Sequence, residues 1–151
     1  MHTALITGGS KGFGLALAES LAADGWSVVI DGRDGSAVDE AVRRLRGRSS
    51  GQPISGIVGD IADETHRDAL ARAAGNGLDL VVNNASTLGR SPQPSLADYP
   101  LDEYRRVLDV NVVAPLALAQ AVLPGLRQRR GTLVNITSDA AVEGYAGWGG
   151  Y

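Results

Sequence analysis

Short apolar runs alternate along this chain with longer stretches of helical period. The runs, each bounded by turn residues, predict β-strands at about 3–7, 27–31, 54–59, 78–83 and 132–137. The stretches between them predict helices at about 13–24, 36–47, 63–74 and 101–129. We expect the last helix to break near Pro115, because proline lacks an amide hydrogen. This alternation is typical of an α/β, Rossmann-like, doubly wound parallel sheet in three-layer αβα order.

The fifth strand is predicted at an edge of this sheet. Right-handed crossovers and the usual strand order, 3-2-1-4-5, place it there. The segment from Thr132 to Thr137 carries none of the charges or prolines that normally protect an edge. We therefore expect further structure to cover it, and predict that residues 1–151 form one domain, truncated after the fifth strand and incomplete at the C-terminus.

Composition sets a few limits. The chain has 151 residues, 44% of them hydrophobic, and a net charge of −3, which gives no electrostatic footprint for nucleic acid. An arginine cluster in the second predicted helix favours a solvated face over a phosphate-binding patch: Arg43, Arg44, Arg46 and Arg48. The absence of cysteine excludes disulfides and thiolate metal sites, and we expect no metal. No apolar run is long enough to span a bilayer and no signal peptide fits, so the expected location is cytoplasmic, away from membranes.

The first strand is followed by a glycine-rich turn. Gly8, Gly12 and Gly14 lie between this apolar strand and the apolar helix face of Phe13, Leu17 and Leu21. A phosphate needs backbone amide donors at a helix N-terminus and no Cβ in its way. The pattern therefore predicts a dinucleotide site, although a tight turn alone also uses glycines.

Several motifs, in order along the whole chain, resemble the short-chain dehydrogenase/reductase family. They are Thr7-Gly8-Gly9-Ser10-Lys11-Gly12-Phe13-Gly14, Asn83-Asn84-Ala85-Ser86, Asn111, Ser138 and Tyr151. The resemblance implies an NAD(P)-binding Rossmann domain of an oxidoreductase that interconverts a secondary alcohol and a ketone. Its substrate would be a small-molecule carbonyl or alcohol. It also implies a homodimer or homotetramer, assembled through the helix at about 101–129.

The end of the second strand decides the choice of cofactor. The family position for the acidic residue that selects NAD falls on Gly32, and Arg33 follows it. Lys11, the only lysine in the chain, matches a basic residue of many NADP-preferring relatives. Two cations on one phosphate favour NADP, while Asp31 and Asp34 keep NAD open as the alternative.

The resemblance assigns further contacts to the cofactor. Asp60 and Ile61 match the family's adenine-contacting pair, although Asp60 could equally be a helix N-cap. Asn84, Ala85 and Ser86 match the family's Asn-Ala-Gly, with serine at the glycine position. An Asn pair at a strand end can also simply hold the loop backbone. With these, the predicted cofactor-binding residues are Gly8, Ser10, Lys11, Gly12, Phe13, Gly14, Arg33, Asp60, Ile61, Asn84, Ala85 and Ser86.

The same resemblance assigns the catalytic residues. Tyr151 would exchange the proton and Ser138 would hold the substrate oxygen, while the carbonyl of Asn111 would hold a water. Pro115 supports the last role, because it leaves that carbonyl without its helical donor. The family's lysine would be residue 155, so we expect little turnover from these 151 residues. The alternative is a noncatalytic dinucleotide-binding or interaction module that pairs through the fifth strand.

Two other features have plainer interpretations. His66 is expected to face solvent on its helix. The segment from Asp139 to Trp148 either lines the substrate pocket or is a poorly ordered loop, since glycines lie in it and just after it: Gly144, Gly147, Gly149 and Gly150.

Overall fold

The computed structural model describes residues 1–146 and 148–151. Gly147, part of the glycine-containing segment before Tyr151, lies outside the described residues. The strands are β1 (Thr3–Ile6), β2 (Ser27–Gly32), β3 (Ile54–Val58), β4 (Leu80–Asn83) and β5 (Thr132–Asn135). The α-helices are α1 (Gly12–Ala23), α2 (Gly35–Arg48), α3 (Glu64–Ala74), α4 (Leu101–Leu108) and α5 (Ala114–Arg129). A π-helical turn spans Asp109–Val113, and 3₁₀ turns span Leu96–Asp98 and Asp139–Ala141.

Within the described residues the strands form one parallel sheet. Their order is β3-β2-β1-β4-β5, which confirms the predicted fold class and the order 3-2-1-4-5. β1 lies in the middle, paired with β2 through Leu5 and Val29 and with β4 through Leu5 and Val81. The carboxyl ends of β1, β2 and β4 therefore meet at one edge of the sheet, where ligands bind in open α/β folds.

The sheet is covered on both faces. Successive residues of a strand point to opposite faces, so Leu5 and Ile6 belong to different core clusters. The first cluster packs Leu5 against α3 and α5 through Leu70 and Leu118. The second packs Ile6 against α1 and α2, through residues such as Leu45. Burial on both faces explains why the central strands are almost wholly apolar.

The long helix differs from its prediction near Pro115. It does not break there but passes from α4 through the π turn into α5, and the Ala114 amide bonds to the Asp109 carbonyl. The turn ends at Val113, so Pro115 falls in the first turn of α5, where a missing amide donor is tolerated. A second proline, Pro124, lies inside α5.

The same stretch corrects the expectation that no apolar run could span a bilayer. The helical stretch Leu101–Arg129 has 29 residues and a window of mean hydropathy 1.6, long and apolar enough by length and composition alone. Part of its apolar surface serves the core, because Leu118, Val122 and Leu126 are buried against the sheet.

The prediction that His66 faces solvent is wrong. Its exposed fraction is 7%, and its Nε2 lies 2.8 Å from Asp31 Oδ2. His66 shares the buried face of α3 with Leu70 and Ala74, at the four-residue spacing of one helix face.

Candidate functional site

A cavity of about 410 Å³ opens at the carboxyl ends of the central strands. Ten of the predicted cofactor-binding residues line it: Gly8, Ser10, Lys11, Phe13, Arg33, Asp60, Ile61, Asn84, Ala85 and Ser86. The predicted Gly12 and Gly14 are not lining residues, although both belong to the loop that forms one wall. The motifs predicted to bind the cofactor thus come together in space around one cavity.

The glycine loop is shaped by close contacts that exclude side chains. Gly8 and Gly12 have φ values of +64° and +59°, which favour glycine. A Cβ at Gly14 would lie 2.5 Å from Asn84 Nδ2 and 2.7 Å from the Gly8 carbonyl oxygen. α1 begins at Gly12 without a side-chain cap. Its first amides therefore have no side-chain acceptor, as in the phosphate-binding turn of a dinucleotide site.

The glycine loop and the segment after β4 are bonded to each other. Thr7 Oγ1 accepts hydrogen bonds from the amides of Asn84 and Ala85, each at 3.0 Å. In return, Asn84 Nδ2 donates to the carbonyl oxygens of Thr7 at 2.8 Å and Gly8 at 3.2 Å. Asn84 therefore fixes backbone while it also lines the cavity. Thr7 is part of the glycine-rich motif in the sequence, and its buried hydroxyl is a further support of the site.

Both acids near the end of β2 are engaged within the protein. Asp31 Oδ1 accepts from the Gly8 amide at 2.6 Å, and its Oδ2 is bonded to His66. Asp34 caps α2, with Oδ1 accepting from the Ser36 and Ala37 amides at 2.9 and 3.2 Å. Hydrogen bonds, led by the one from the Ser36 hydroxyl, hold the pKa of Asp34 below its ordinary value.

Gly32 lies between these two acids, and because it has no side chain the glycine loop can approach the end of β2 closely. A Cβ at Gly32 would lie 2.6 Å from Ser10 Oγ. The end of β2 and the glycine loop thus approach closely at the point where a dinucleotide-binding fold places the adenosine ribose. Lys11 follows Ser10 in the glycine loop and Arg33 follows Gly32 at the end of β2. Both Lys11 and Arg33 line the cavity.

Asp60 lies after β3 and is held by two partners. Its Oδ1 accepts from the Ala62 amide at 3.0 Å, and its Oδ2 pairs with Arg106 of α4. Burial opposes ionisation of Asp60, but the Ala62 amide and the Arg106 guanidinium outweigh it and lower its pKa. Arg106 also lines the cavity, and no sequence motif marked it among the charged residues of α4.

Asn111, in the π turn, holds the segment after β4 by two hydrogen bonds. Its Oδ1 accepts from the Thr87 amide and its Nδ2 donates to the Thr87 carbonyl, both at 2.9 Å. Thr87 and Val110 line the cavity. The side chain of Asn111 is therefore a clamp on the cavity wall.

Ser138 and Tyr151 are not joined in this structure. Ser138 Oγ donates to Asp139 Oδ1 at 2.9 Å and accepts from the Ala140 amide at 3.2 Å. The Tyr151 ring lies edge-on to Trp148, with centroids 5.9 Å apart. Over residues 1–146 and 148–151, no hydrogen bond or salt bridge reaches the Tyr151 hydroxyl, and neither Ser138 nor Tyr151 lines the cavity.

Asp139 links Ser138 to a second tyrosine. Its Oδ2 accepts from the Tyr145 hydroxyl at 3.0 Å, and Tyr145 also donates to Glu143 Oε2 at 3.2 Å. The hydrogen bonds from Ser138 and Tyr145 lower the pKa of Asp139. The hydrogen bonds that Tyr145 makes to the carboxylates of Asp139 and Glu143 raise the pKa of Tyr145.

A parallel sheet in this order, with a glycine-rich first turn and strand ends around one cavity, defines a Rossmann-like fold of the doubly wound class. The chain belongs to the short-chain dehydrogenase/reductase family, because the family model for short chain dehydrogenase matches residues 2–151.

Curated relatives agree with this assignment. Serine 3-dehydrogenase of Agrobacterium fabrum is 34% identical over 149 residues, which cover 96% of this chain and 57% of that protein. Dehydrogenase/reductase SDR family member 4 of Bos taurus is 35% identical over 153 residues, which cover 98% of this chain and 53% of that protein. The chain thus spans little more than half the length of these relatives.

Solved structures show the same fold. An alcohol dehydrogenase from Thermococcus sibiricus, complexed with 5-hydroxy-NADP, matches with a TM-score of 0.90 at 25% identity, over 100% of this chain and 64% of that one. An NAD⁺-bound xylitol dehydrogenase matches with a TM-score of 0.87 at 28% identity, over 99% of this chain and 58% of that one. One of these neighbours thus carries NAD⁺ and the other carries a derivative of NADP.

Proposed function

We propose that this chain forms an NAD(P)-binding domain, residues 1–151, of an NADP-dependent oxidoreductase that interconverts a secondary alcohol and a ketone. The cavity of about 410 Å³ suits a dinucleotide, because it lies at the carboxyl ends of the central strands, between the glycine loop and the segments after β3 and β4. The bound nicotinamide would supply or accept the hydride. The substrate would be a small-molecule alcohol or carbonyl compound, as the names of several relatives suggest for those proteins.

The observation that favours NADP over NAD is a pair of positive charges, one on the glycine loop and one after β2. Lys11 and Arg33 both line the cavity, and Gly32 stands where an acid would bind the 2′-hydroxyl of NAD. Asp31 directs both its oxygens to protein donors, away from this role. Asp34 also lines the cavity and caps α2 through Oδ1, and the two cations are the groups that suit a 2′-phosphate.

The test compares affinities for the two dinucleotides by isothermal titration calorimetry. We expect wild type to bind NADP more tightly than NAD. Lys11→Ala and Arg33→Ala should each weaken NADP binding about tenfold and leave NAD binding nearly unchanged, since each removes one charge-assisted contact with the phosphate. Arg43→Ala, on the outer face of α2, is the matched control and should change neither affinity. Tighter binding of NAD by wild type would contradict the proposal.

The remaining cofactor contacts follow the cavity walls. Ser10 would add a hydroxyl to the 2′-phosphate site, while Gly12 and Phe13 would offer amides to the pyrophosphate at the start of α1. Asp60 and Ile61 would contact the adenine. Ala85 and Ser86, held beside Asn84, would contact the ribose on the nicotinamide side.

The catalytic roles belong to Tyr151, Ser138 and Asn111. A tyrosine hydroxyl has an ordinary pKa near 10, so proton exchange with substrate at neutral pH needs a neighbouring cation. Ser138 Oγ would hold the substrate oxygen, and the Asn111 carbonyl would hold a water. We expect little carbonyl reduction from the 151 residues alone, because no cation of the described residues contacts Tyr151. NADPH consumption with a panel of ketones, followed at 340 nm, tests this expectation.

Assembly as a homodimer or homotetramer, in the cytoplasm, completes the proposal. An apolar strip of the helical stretch Leu101–Arg129 is exposed: Leu101, Leu108, Val112, Leu116 and Leu123. A second copy of the chain would cover this strip and so remove its apolar surface from water.

A noncatalytic interaction module is the second candidate, and the exposure of β5 favours it. Thr132 and Asn135 of this edge strand are exposed, and Ile136 just after it is 44% exposed. An unprotected edge can accept a strand from a partner. Alcohol oxidation or ketone reduction that is lost on Tyr151→Phe would exclude this candidate.

A further inference from the structure

A carboxylate that lines the cavity, Asp31, is buried together with the histidine His66, and none of the roles described above uses this pair. Asp31 is 2% exposed and His66 is 7% exposed, with His66 Nε2 at 2.8 Å from Asp31 Oδ2. An ionised carboxylate only accepts hydrogen bonds, so His66 Nε2 carries the hydrogen. Loss of either residue would leave a buried polar group without its partner.

The other oxygen of Asp31 reaches the glycine loop. Oδ1 accepts from the Gly8 amide at 2.6 Å, so His66 orients the carboxylate with one oxygen towards Gly8. Gly8 begins the loop that carries Lys11, and Asp31 lies two residues before Arg33. The bond from Gly8 to Asp31 therefore ties the loop bearing one cation to the strand end bearing the other.

His66 also supports the wall formed after β3. A Cβ at Gly59 would collide with the imidazole ring, so the backbone at this position lies directly on His66. Gly59 and Asp60 both line the cavity. One buried pair thus contacts the glycine loop, the end of β2 and the segment after β3.

We propose that Asp31 and His66 are a positioning pair that fixes the glycine loop against the end of β2 and thereby sets the affinity of the cavity for the 2′-phosphate. This role rests on the proposed function, since the phosphate site consists of Lys11 on the loop and Arg33 after β2. Both cations reach one phosphate only while the loop and the strand end keep their spacing. Asp31 lines the cavity and His66 does not, so His66 acts through Asp31 and through the backbone of Gly59.

The test compares Asp31→Ala with Asp31→Asn. Both variants remove the same negative charge, but asparagine keeps an oxygen that can accept from the Gly8 amide. We expect Asp31→Ala to bind NADP about tenfold more weakly than Asp31→Asn in calorimetric titrations, the loss of one hydrogen bond that holds the loop. The loss for NAD should be smaller, because NAD lacks the 2′-phosphate.

A second readout needs no cofactor. Hydrogen exchange of the Gly8 amide, followed by NMR in the ligand-free protein, should be faster in Asp31→Ala than in Asp31→Asn. If Asp31→Ala does not fold, His66→Leu and His66→Gln make the same comparison, because glutamine keeps a donor towards Asp31 and leucine does not.

Asp79 provides a matched control at the opposite end of the strands. It accepts from the Thr3 amide at 2.9 Å and pairs with His2 Nδ1 at 3.3 Å, so it also joins a backbone amide to a histidine. Asp79→Ala should therefore lower stability without changing the affinity for NADP more than twofold.

The possible outcomes separate the two proposals. Equal NADP affinity and equal Gly8 exchange in Asp31→Ala and Asp31→Asn, with a wild type that binds NADP, would overturn the positioning role alone. A wild type that binds neither dinucleotide would overturn the proposed function, and this role with it.

Discussion

Gly14 occupies a position where the surrounding backbone leaves no space for a side chain. A Cβ there would meet Asn84 Nδ2 at 2.5 Å and the Gly8 carbonyl at 2.7 Å. Gly14→Ala should therefore push α1 away from the segment after β4, lower the free energy of unfolding by about 1–3 kcal/mol and abolish dinucleotide binding. Urea unfolding and calorimetry measure the two effects.

Gly47→Ala is the control for that prediction. Gly47 lies in α2, and a Cβ there would have no neighbour within 4 Å. Alanine should stabilise this helix by up to about 1 kcal/mol and leave binding unchanged. Equal binding by Gly14→Ala and wild type would refute the role of the glycine loop.

The ion pair of Asp60 and Arg106 predicts a dependence of stability on pH. The folded-state pKa of Asp60 is lowered, so its contribution is present above the unfolded-state pKa and is lost as pH falls through the folded-state value. Arg106→Gln should lower the urea midpoint at pH 7, and its difference from wild type should shrink below about pH 4. Arg105→Gln, an exposed neighbour on α4, should match wild type throughout. The same deficit at pH 7 and pH 3 would contradict this assignment.

At the scale of single residues, sequence predicted those that belong to local motifs. Gly8, Lys11 and Arg33 follow strands in recognisable patterns, and the structure places all three at the cavity. His66 and Arg106 were missed because their partners, Asp31 and Asp60, lie 35 and 46 positions away along the chain. No local pattern marks such a pair, and a lone histidine on a helix favours the solvent-facing interpretation that proved wrong.

At the scale of elements, a residue of the π turn makes a contact that is distant in the sequence. Asn111 sits in this turn and holds the Thr87 backbone by two hydrogen bonds of 2.9 Å, across 24 positions. Helical periodicity reports which residues face the core but not where an extra residue enters the helix. The sequence therefore indicated an irregularity near Pro115, but it did not predict that the irregularity is a π turn.

Asn111→Ala tests the clamp. The substitution leaves the Thr87 amide and carbonyl without these partners, so we expect a loss of about 1–3 kcal/mol in the free energy of unfolding and faster exchange of the Thr87 amide. Asn76→Ala, an exposed position after α3, should change stability by less than about 0.5 kcal/mol. An unchanged unfolding midpoint in Asn111→Ala would show that the two bonds contribute nothing to stability.

For the whole molecule, the fold followed from sequence because each strand and helix carries its own periodicity and crossovers have one hand. The predicted order was confirmed. The catalytic roles of Ser138 and Tyr151 stay a prediction, and no hydrogen bond joins these two residues within the described part of the chain. Their segment packs by exposed aromatic contacts, such as Tyr145 with Trp148, which the buried strands do not determine.

The proposed assembly is tested at the scale of the whole molecule. Leu116 is 60% exposed on the apolar strip of the long helical stretch. Leu116→Glu should convert the proposed dimer or tetramer to smaller species in sedimentation velocity. A carboxylate buried between two apolar strips would have no partner for its charge. Val58→Glu, 52% exposed on the opposite edge strand β3, should sediment as wild type does. Identical sedimentation of Leu116→Glu and wild type would move the interface elsewhere.

The amino terminus is anchored at the end of the sheet that faces away from the cavity. Asp79 accepts from the Thr3 amide, Arg129 donates to the Met1 carbonyl, and the His2 ring lies 4.9 Å from that of Trp26. The strands separate this end from the cavity by about 13 Å, at roughly 3.3 Å per residue. A biotin or fluorophore coupled at the first residue would consequently sit behind the sheet, and a chip-bound protein would present its open pocket to the solution flowing past it.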